Sequence, residues 1–106
     1  MLFELRQYRS REGQRDDLVK VMEELVIPFQ ASKGVVVVGS FVAEEEPDLY
    51  VWIRRFQDEE DRKRLYAAVY EDDHWKNEIA PRVGAHLDRE RMVITRLLPT
   101  SRSVLR

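Results

Sequence analysis

The sequence contains no cysteine, which removes disulfides, thiolate metal sites and cysteine nucleophiles and suits a reducing cytoplasm. A metal site would have to be assembled from histidine and carboxylates, and with two histidines in the chain no metal and no cofactor are expected. Glycine and proline number four each, and neither a low-complexity linker nor an internal repeat is present. Long apolar runs are missing too. The longest aliphatic stretch is Val35 to Val38, and Glu4 and Arg6 interrupt the apolar start, so no membrane span and no export signal are expected. Neither sign of charge dominates, because 18 basic and 20 acidic residues leave a net charge of −2, which gives no field for nucleic acid or an anionic membrane surface. Serine nucleophile elbows, phosphate-binding loops and dinucleotide glycine fingerprints are absent as well.

What is there suits a globular chain. At 106 residues, 43% hydrophobic and 36% charged, the composition predicts one domain over residues 1–106 with one hydrophobic core. Residues 2–8 alternate as a strand, with Phe3 and Leu5 on one face and Glu4, Arg6 and Tyr8 on the other. A turn at Gly13 leads into a helix from Gln14 to Lys33, where Leu18, Met22, Leu25 and Phe29 form one stripe and Pro28 predicts a kink or an early end. Gly34 is a candidate exit cap, and Val35 to Val42 reads as a strand with a bulge at Gly39.

A charged turn, Glu44 to Asp48, separates this strand from a third at Leu49 to Phe56, forming a hairpin. Asp58 reads as the N-cap of a helix running through Glu71. Asp72 and Asp73 then interrupt the helix and cap a short segment carrying His74, Trp75 and Ile79, and Arg91 to Leu98 is the fourth strand. The order β-α-β-β-α-α-β predicts an α+β fold of the ferredoxin-like type.

Both faces of the third strand carry bulk. Leu49, Val51 and Ile53 form an aliphatic face, and Tyr50, Trp52, Arg54 and Phe56 an aromatic and basic one. Helices cover one side of such a sheet, and the aliphatic face is expected beneath them. The aromatic face would then need a second copy packed sheet to sheet, or cover from the tail Thr100 to Arg106. A homodimer is the expected assembly.

Residues 3–99 resemble the NIPSNAP family, within the superfamily of dimeric α/β barrels. The resemblance is carried by ELRQY at Glu4 to Tyr8, Gly13, VWIRRF at Val51 to Phe56, DEEDR at Asp58 to Arg62, VYEDDHWK at Val69 to Lys76 and LLP at Leu97 to Pro99. It implies the ferredoxin-like fold and the dimeric barrel more than an activity. The chain departs from the family pattern at Glu71 to Asp73, where a glycine-rich stretch is usual, and at Pro81 to Ala85, where alanine is common.

The candidate site is a pocket between sheet and helices for a small, flat, anionic organic molecule. Arg6 and Arg54 would orient it, and Tyr8, Trp52 and Phe56 would stack on it. His74 is the candidate catalytic acid or base, preferred over His86 because its neighbours match the resemblance. A second reading is a cofactor-independent monooxygenase or a haem-binding enzyme. Some barrel relatives use an asparagine, a tryptophan and a histidine, and this chain offers Trp52 and His74 while Gln7 points to the other strand face. A third reading is a protein interaction module.

Overall fold

Leu2–Ser10 (β1) and Leu49–Phe56 (β3) alternate with period two, Val36–Val42 (β2) is rich in β-branched residues, and these together with Leu87–Leu97 (β4) form the strands. In the computed structural model, which describes residues 1–106, the strands make one antiparallel sheet in the order β2-β3-β1-β4. The crossovers from β1 to β2 and from β3 to β4 carry the helices, giving the ferredoxin-like plan expected from the sequence. Strand β4 starts four residues earlier than its aliphatic run suggests, because Asp88 and Leu87 pair with Arg9 and Ser10 beyond a register shift, whose extra residues lie in β4 between Asp88 and Val93.

Local chemistry sets most element boundaries. Asp58 caps helix α3 (Glu59–Tyr70) by accepting from the Asp61 amide at 2.8 Å. Asp72 accepts from the amides of His74 and Trp75 and so starts the next helical turn. Gly34 leaves the helix at φ +101°, a conformation that L side chains rarely adopt. The ladder slips between Val37 and Gly39 as expected, and a Cβ at Gly39 would overlap the ring of Phe41.

Proline does not end the first helix. The path runs from α1 (Arg15–Val21) through a π turn (Met22–Val26) into α2 (Ile27–Ser32), which contains Pro28. The Ile27 amide bonds back to the Met22 carbonyl, five residues earlier, directly before the proline. A widened turn relieves the clash between the proline ring and the preceding turn and needs no bond from the missing N–H. The same device recurs later. A second π turn (Trp75–Ile79), closed by the Ala80 amide on the Trp75 carbonyl, precedes Pro81 in α4 (Ala80–Gly84).

The wide turn also resets the buried stripe. In an ideal α-helix a strict four-residue spacing drifts around the axis, and a π turn takes up part of that drift. Leu18, Met22, Val26 and Gln30 are thereby all fully buried, in place of the Leu25 and Phe29 positions expected from the sequence.

The sheet is oriented opposite to the expectation for its two faces. Tyr8, Tyr50 and Trp52 lie beneath the helices in a core with Leu18, Met22, Val26, Ile79 and Val83. Val51 and Ile53 lie on the other, uncovered side and are half-buried. Alternation itself holds, since Trp52 and its neighbours do point apart. The charged residues on the aromatic face satisfy one another, so that face can be buried without leaving ions unpaired. One corner of the open face is covered by the tail, where the Arg55 guanidinium donates to the Arg106 carbonyl at 2.8 Å.

Candidate functional site

The site grows from β1, where Glu4, Arg6 and Tyr8 share the helix-covered face, and from β3, where Trp52 and Arg54 stand opposite Arg6 and Glu4. Glu4 is fully buried and is the hub. One carboxylate oxygen accepts from Arg54 at 2.6 Å and from Arg6 at 3.0 Å. The other accepts from Arg62 at 3.1 Å and from the Tyr66 hydroxyl. Burial alone would raise the Glu4 pKa, but the Arg54 charge, the Tyr66 hydrogen bond and the Arg6 charge outweigh it and hold the group at about 2.

Arg54 is also fully buried. It donates to the Gln30 side-chain oxygen at 2.8 Å and to the hydroxyls of Tyr70 and Tyr66, each at 2.9 Å. Its guanidinium lies 4.8 Å from the Trp52 ring centroid and 5.0 Å from that of Tyr66, a cation–π enclosure that replaces hydration. Arg6 donates to the hydroxyls of Tyr8 at 3.0 Å and Tyr66 at 2.9 Å. Burial works against its charge, and the surrounding tyrosine oxygens and Glu4 more than restore it, so its pKa rises. For Tyr66, burial raises the pKa more than the neighbouring guanidiniums lower it, which keeps the phenol protonated.

Two buried guanidiniums therefore share one carboxylate. Arg62 has a further partner in Glu59 at 3.1 Å, so the surplus positive charge belongs to Arg6 and Arg54.

A cavity of about 170 Å³ opens beside this network between sheet and helices. Arg6, Tyr8 and Trp52 line it, with Met22 and Val26 from the helical layer and Arg89 at its edge. Its lining includes no carboxylate. Arg89 is exposed and makes no hydrogen bond or ion pair with the rest of the chain. The indole N–H of Trp52 is buried without an acceptor.

Of the residues expected to form the site, Arg6, Tyr8 and Trp52 meet in this cavity. Arg54 stands behind Trp52, tied into the Glu4 network, and is not part of the lining. Phe56 packs in a separate apolar cluster with Val35, Leu65 and Val69, its ring 5.6 Å from the Arg54 guanidinium. His74 is exposed at the junction after α3, its ring 5.7 Å from Phe29, and does not line the cavity. His86 faces Gln14, with 2.9 Å between Nδ1 and the amide oxygen. Five participants escaped the sequence reading: Arg89 at the cavity, and in the Glu4 network Gln30, Arg62, Tyr66 and Tyr70. The last three recur at four-residue steps along α3, the spacing of one helical face, and this was the available signal. No group of three metal-ligating side chains is present, and no helix is long and apolar enough to cross a membrane.

A four-stranded antiparallel sheet with helices on one side and a cavity between the layers defines an α+β protein of the ferredoxin-like type. The sequence profile of the NIPSNAP family matches residues 3–102, and the chain belongs to that family. Protein Atu4242 from Agrobacterium tumefaciens, described as a NIPSNAP family protein with unknown function, is similar at 27% identity and a TM-score of 0.89. In one of its crystal structures the match covers 100% of both chains. The NIPSNAP family protein Atu5224 from the same organism is similar at 29% identity and a TM-score of 0.86, covering 99% of this chain and 98% of its own. A structure described as an antibiotic biosynthesis monooxygenase shares the fold, with a TM-score of 0.67 at 19% identity over 94% of this chain and 99% of that one. No protein with curated function matches.

Proposed function

We propose that the protein binds a small, flat, anionic organic molecule in the cavity between sheet and helices, and that it does so as a homodimer. One observation carries the binding reading: the cavity is lined by Arg6 and edged by the unpaired Arg89, with no carboxylate in its wall. A concave, largely apolar site with a few convergent polar groups is the usual form of a small-molecule pocket. The aromatic walls of Tyr8 and Trp52 favour a planar body, and the surplus guanidinium charge favours an anionic head.

Arg6 orients the head, with Arg54 behind it holding the field positive, and Tyr8 and Trp52 flank the body. Phe56 supports Arg54 from a distance. His74 contributes to chemistry only if a ligand or a moving segment reaches it. The lack of cysteine supports a cytoplasmic setting.

Benzoate is a suitable probe. Titrated into the protein, it should quench tryptophan fluorescence and raise the melting temperature, and benzylamine, with the opposite charge, should do neither. Arg89→Ala removes an exposed cation with no partner, so the fold should be untouched while benzoate binding weakens about three- to ten-fold, as expected for a rim charge. Equal responses to benzoate and benzylamine, or to neither, would refute the anion reading.

The dimer reading rests on the open face of the sheet. Leu5, Val51 and Ile53 are half-buried there, and Phe41 and Val93, 54% and 48% exposed, extend the apolar surface onto both outer strands. A two-fold axis makes such a patch complementary to itself. Sedimentation equilibrium should report about twice 12.6 kDa, and a monomer at high concentration would refute it.

Oxygen-dependent chemistry is the second reading, supported by the shared fold with a described monooxygenase. Oxygen uptake with a bound phenolic probe would favour it.

A further inference from the structure

Hydrogen-bond accounting around the cavity identifies what the ligand must present. Tyr8 is 6% exposed, and its hydroxyl accepts from Arg6 at 3.0 Å but donates to nothing in the chain. Trp52 is 1% exposed, and its indole N–H likewise has no acceptor. Both residues line the same cavity, with ring centroids 6.0 Å apart in an edge-on arrangement. A guanidinium carries five N–H donors, of which Arg6 uses one each on Glu4, Tyr8 and Tyr66. Two are left over.

The mismatch is one-sided. Around this cavity every polar group left unsatisfied is a donor, and buried donors without acceptors are costly and uncommon in folded proteins. Elsewhere in the same network the Tyr66 hydroxyl is fully used, donating to Glu4 and accepting from two arginines, while Gln30 Nε2 and Arg54 Nε are buried without an acceptor and belong to residues outside the cavity lining. What sets the protons on Tyr8 and Trp52 apart is that both residues line the cavity, where a bound ligand can supply the missing acceptors. Arg6 adds to their effect. By donating to the Tyr8 oxygen it polarises the phenol and makes its remaining proton a stronger donor.

We propose that Tyr8 O–H and Trp52 Nε1–H form, with Arg6, a donor-only cradle for an oxyanion, so that the ligand's head is a carboxylate or enolate bearing acceptor oxygens and no donor of its own. This rests on the pocket reading above and sharpens it in two ways. It names the atoms that read the ligand, and it assigns Tyr8 the hydrogen-bonding role where ring stacking alone would give it an apolar one. A head group carrying N–H or a cationic centre would leave the donors unpaired and set like against like. Its rejection follows from the same accounting, since sites built to pair a polar group discriminate strongly against partners that cannot.

The test uses benzoate and the two indole N–H signals in a nitrogen–proton correlation spectrum, assigned with Trp75→Phe. Benzoate should shift the Trp52 indole proton downfield and slow its exchange with water, because the N–H gains a charged acceptor. Tyr8→Phe keeps the ring packed against Trp52 and loses only the hydroxyl. It should retain the dispersed spectrum of the folded protein and bind benzoate about ten-fold or more weakly, the usual loss for a hydrogen bond to a charged group. If benzoate saturates the protein while the Trp52 signal stays still, or if Tyr8→Phe binds it as well as the wild type, the cradle is refuted and the pocket survives. If benzoate does not bind at all, pocket and cradle fall together.

Discussion

The two faces of β1 and β3 make opposite use of the same alternation. On the helix side stand Glu4, Arg6, Tyr8, Trp52 and Arg54, polar or aromatic and almost wholly enclosed. On the open side stand Leu5, Val51 and Ile53, aliphatic and uncovered by any helix. Hydrophobicity by itself would assign them the other way round. The difference teaches that charge does not decide which face is buried when the charges complete one another: Glu4 has four donors around it, and Arg54 has aromatic rings on several sides. The aliphatic face, left open in the single chain, is the one that the proposed second copy would cover.

The largest expected effect breaks the enclosed side. Glu4→Gln keeps the shape of the side chain but leaves Arg6 and Arg54 without a counter-charge, and should cost about 3–5 kcal/mol, the usual range for removing one partner of a buried ion pair. Urea denaturation read by tryptophan fluorescence measures it. A loss under 1 kcal/mol would mean the network is worth no more than a surface pair.

The same carboxylate carries a pH signature. Its folded pKa is about 2 against an ordinary 4.5, and a depressed carboxylate pKa stabilises the fold above the ordinary value. That contribution, on the order of 3 kcal/mol from the size of the shift, is complete above about pH 4.5 and disappears as pH falls toward 2. Unfolding free energies across this range should show the slope in the wild type and lose most of it in Glu4→Gln. A slope unchanged in the variant would assign it to other carboxylates.

The open side is broken differently. Ile53→Asp places a charge in the middle of the aliphatic face, where it should abolish dimerisation while costing the monomer about 1 kcal/mol or less, since the position touches solvent in a lone chain. Sedimentation velocity together with a melting curve separates the two effects. A variant that unfolds outright would show that this face is sealed within one chain.

Asp58→Ala sharpens the comparison at its low end. It removes the side-chain acceptor for the Asp61 amide and should cost about 1 kcal/mol, with Glu4 and its partners undisturbed. If the loss matches that of Glu4→Gln, α3 itself holds the network in place, and the enclosed ions contribute little.

Much of the fold was legible because local rules act locally. Strands β1 and β3 follow from alternation and β2 from its β-branched run, the caps from Asp58 and Gly34, and the bulge from Gly39, where Phe41 leaves no room for a Cβ. At Pro28 a kink or an early end was open, and the early end does not occur, because a π turn before Pro28, like another before Pro81, carries the chain through a position that usually breaks a helix. Arg6, Tyr8 and Trp52 were legible as a set, since two strands in that order must bring them together. Gln30, Tyr66 and Tyr70 were not, because each reaches the site from a helix whose rotation about its axis depends on packing. The orientation of the sheet was not legible either. Both faces are bulky, and only the mutual satisfaction of Glu4, Arg6 and Arg54 decides between them.

The central claim is that the enclosed polar face, and not the open aliphatic one, holds the ligand. The open face offers a competing recess of about 280 Å³ against the tail, lined by Phe3, Ile53, Leu97 and Leu105 and lacking any charged side chain. A crystal structure with 4-iodobenzoate discriminates between the two, because the anomalous signal of iodine marks the position of the ring. The account predicts one site per chain in the cavity bounded by Tyr8 and Trp52, with the carboxylate against Arg6. Iodine found only in the recess beside Phe3 and Leu105 would contradict it.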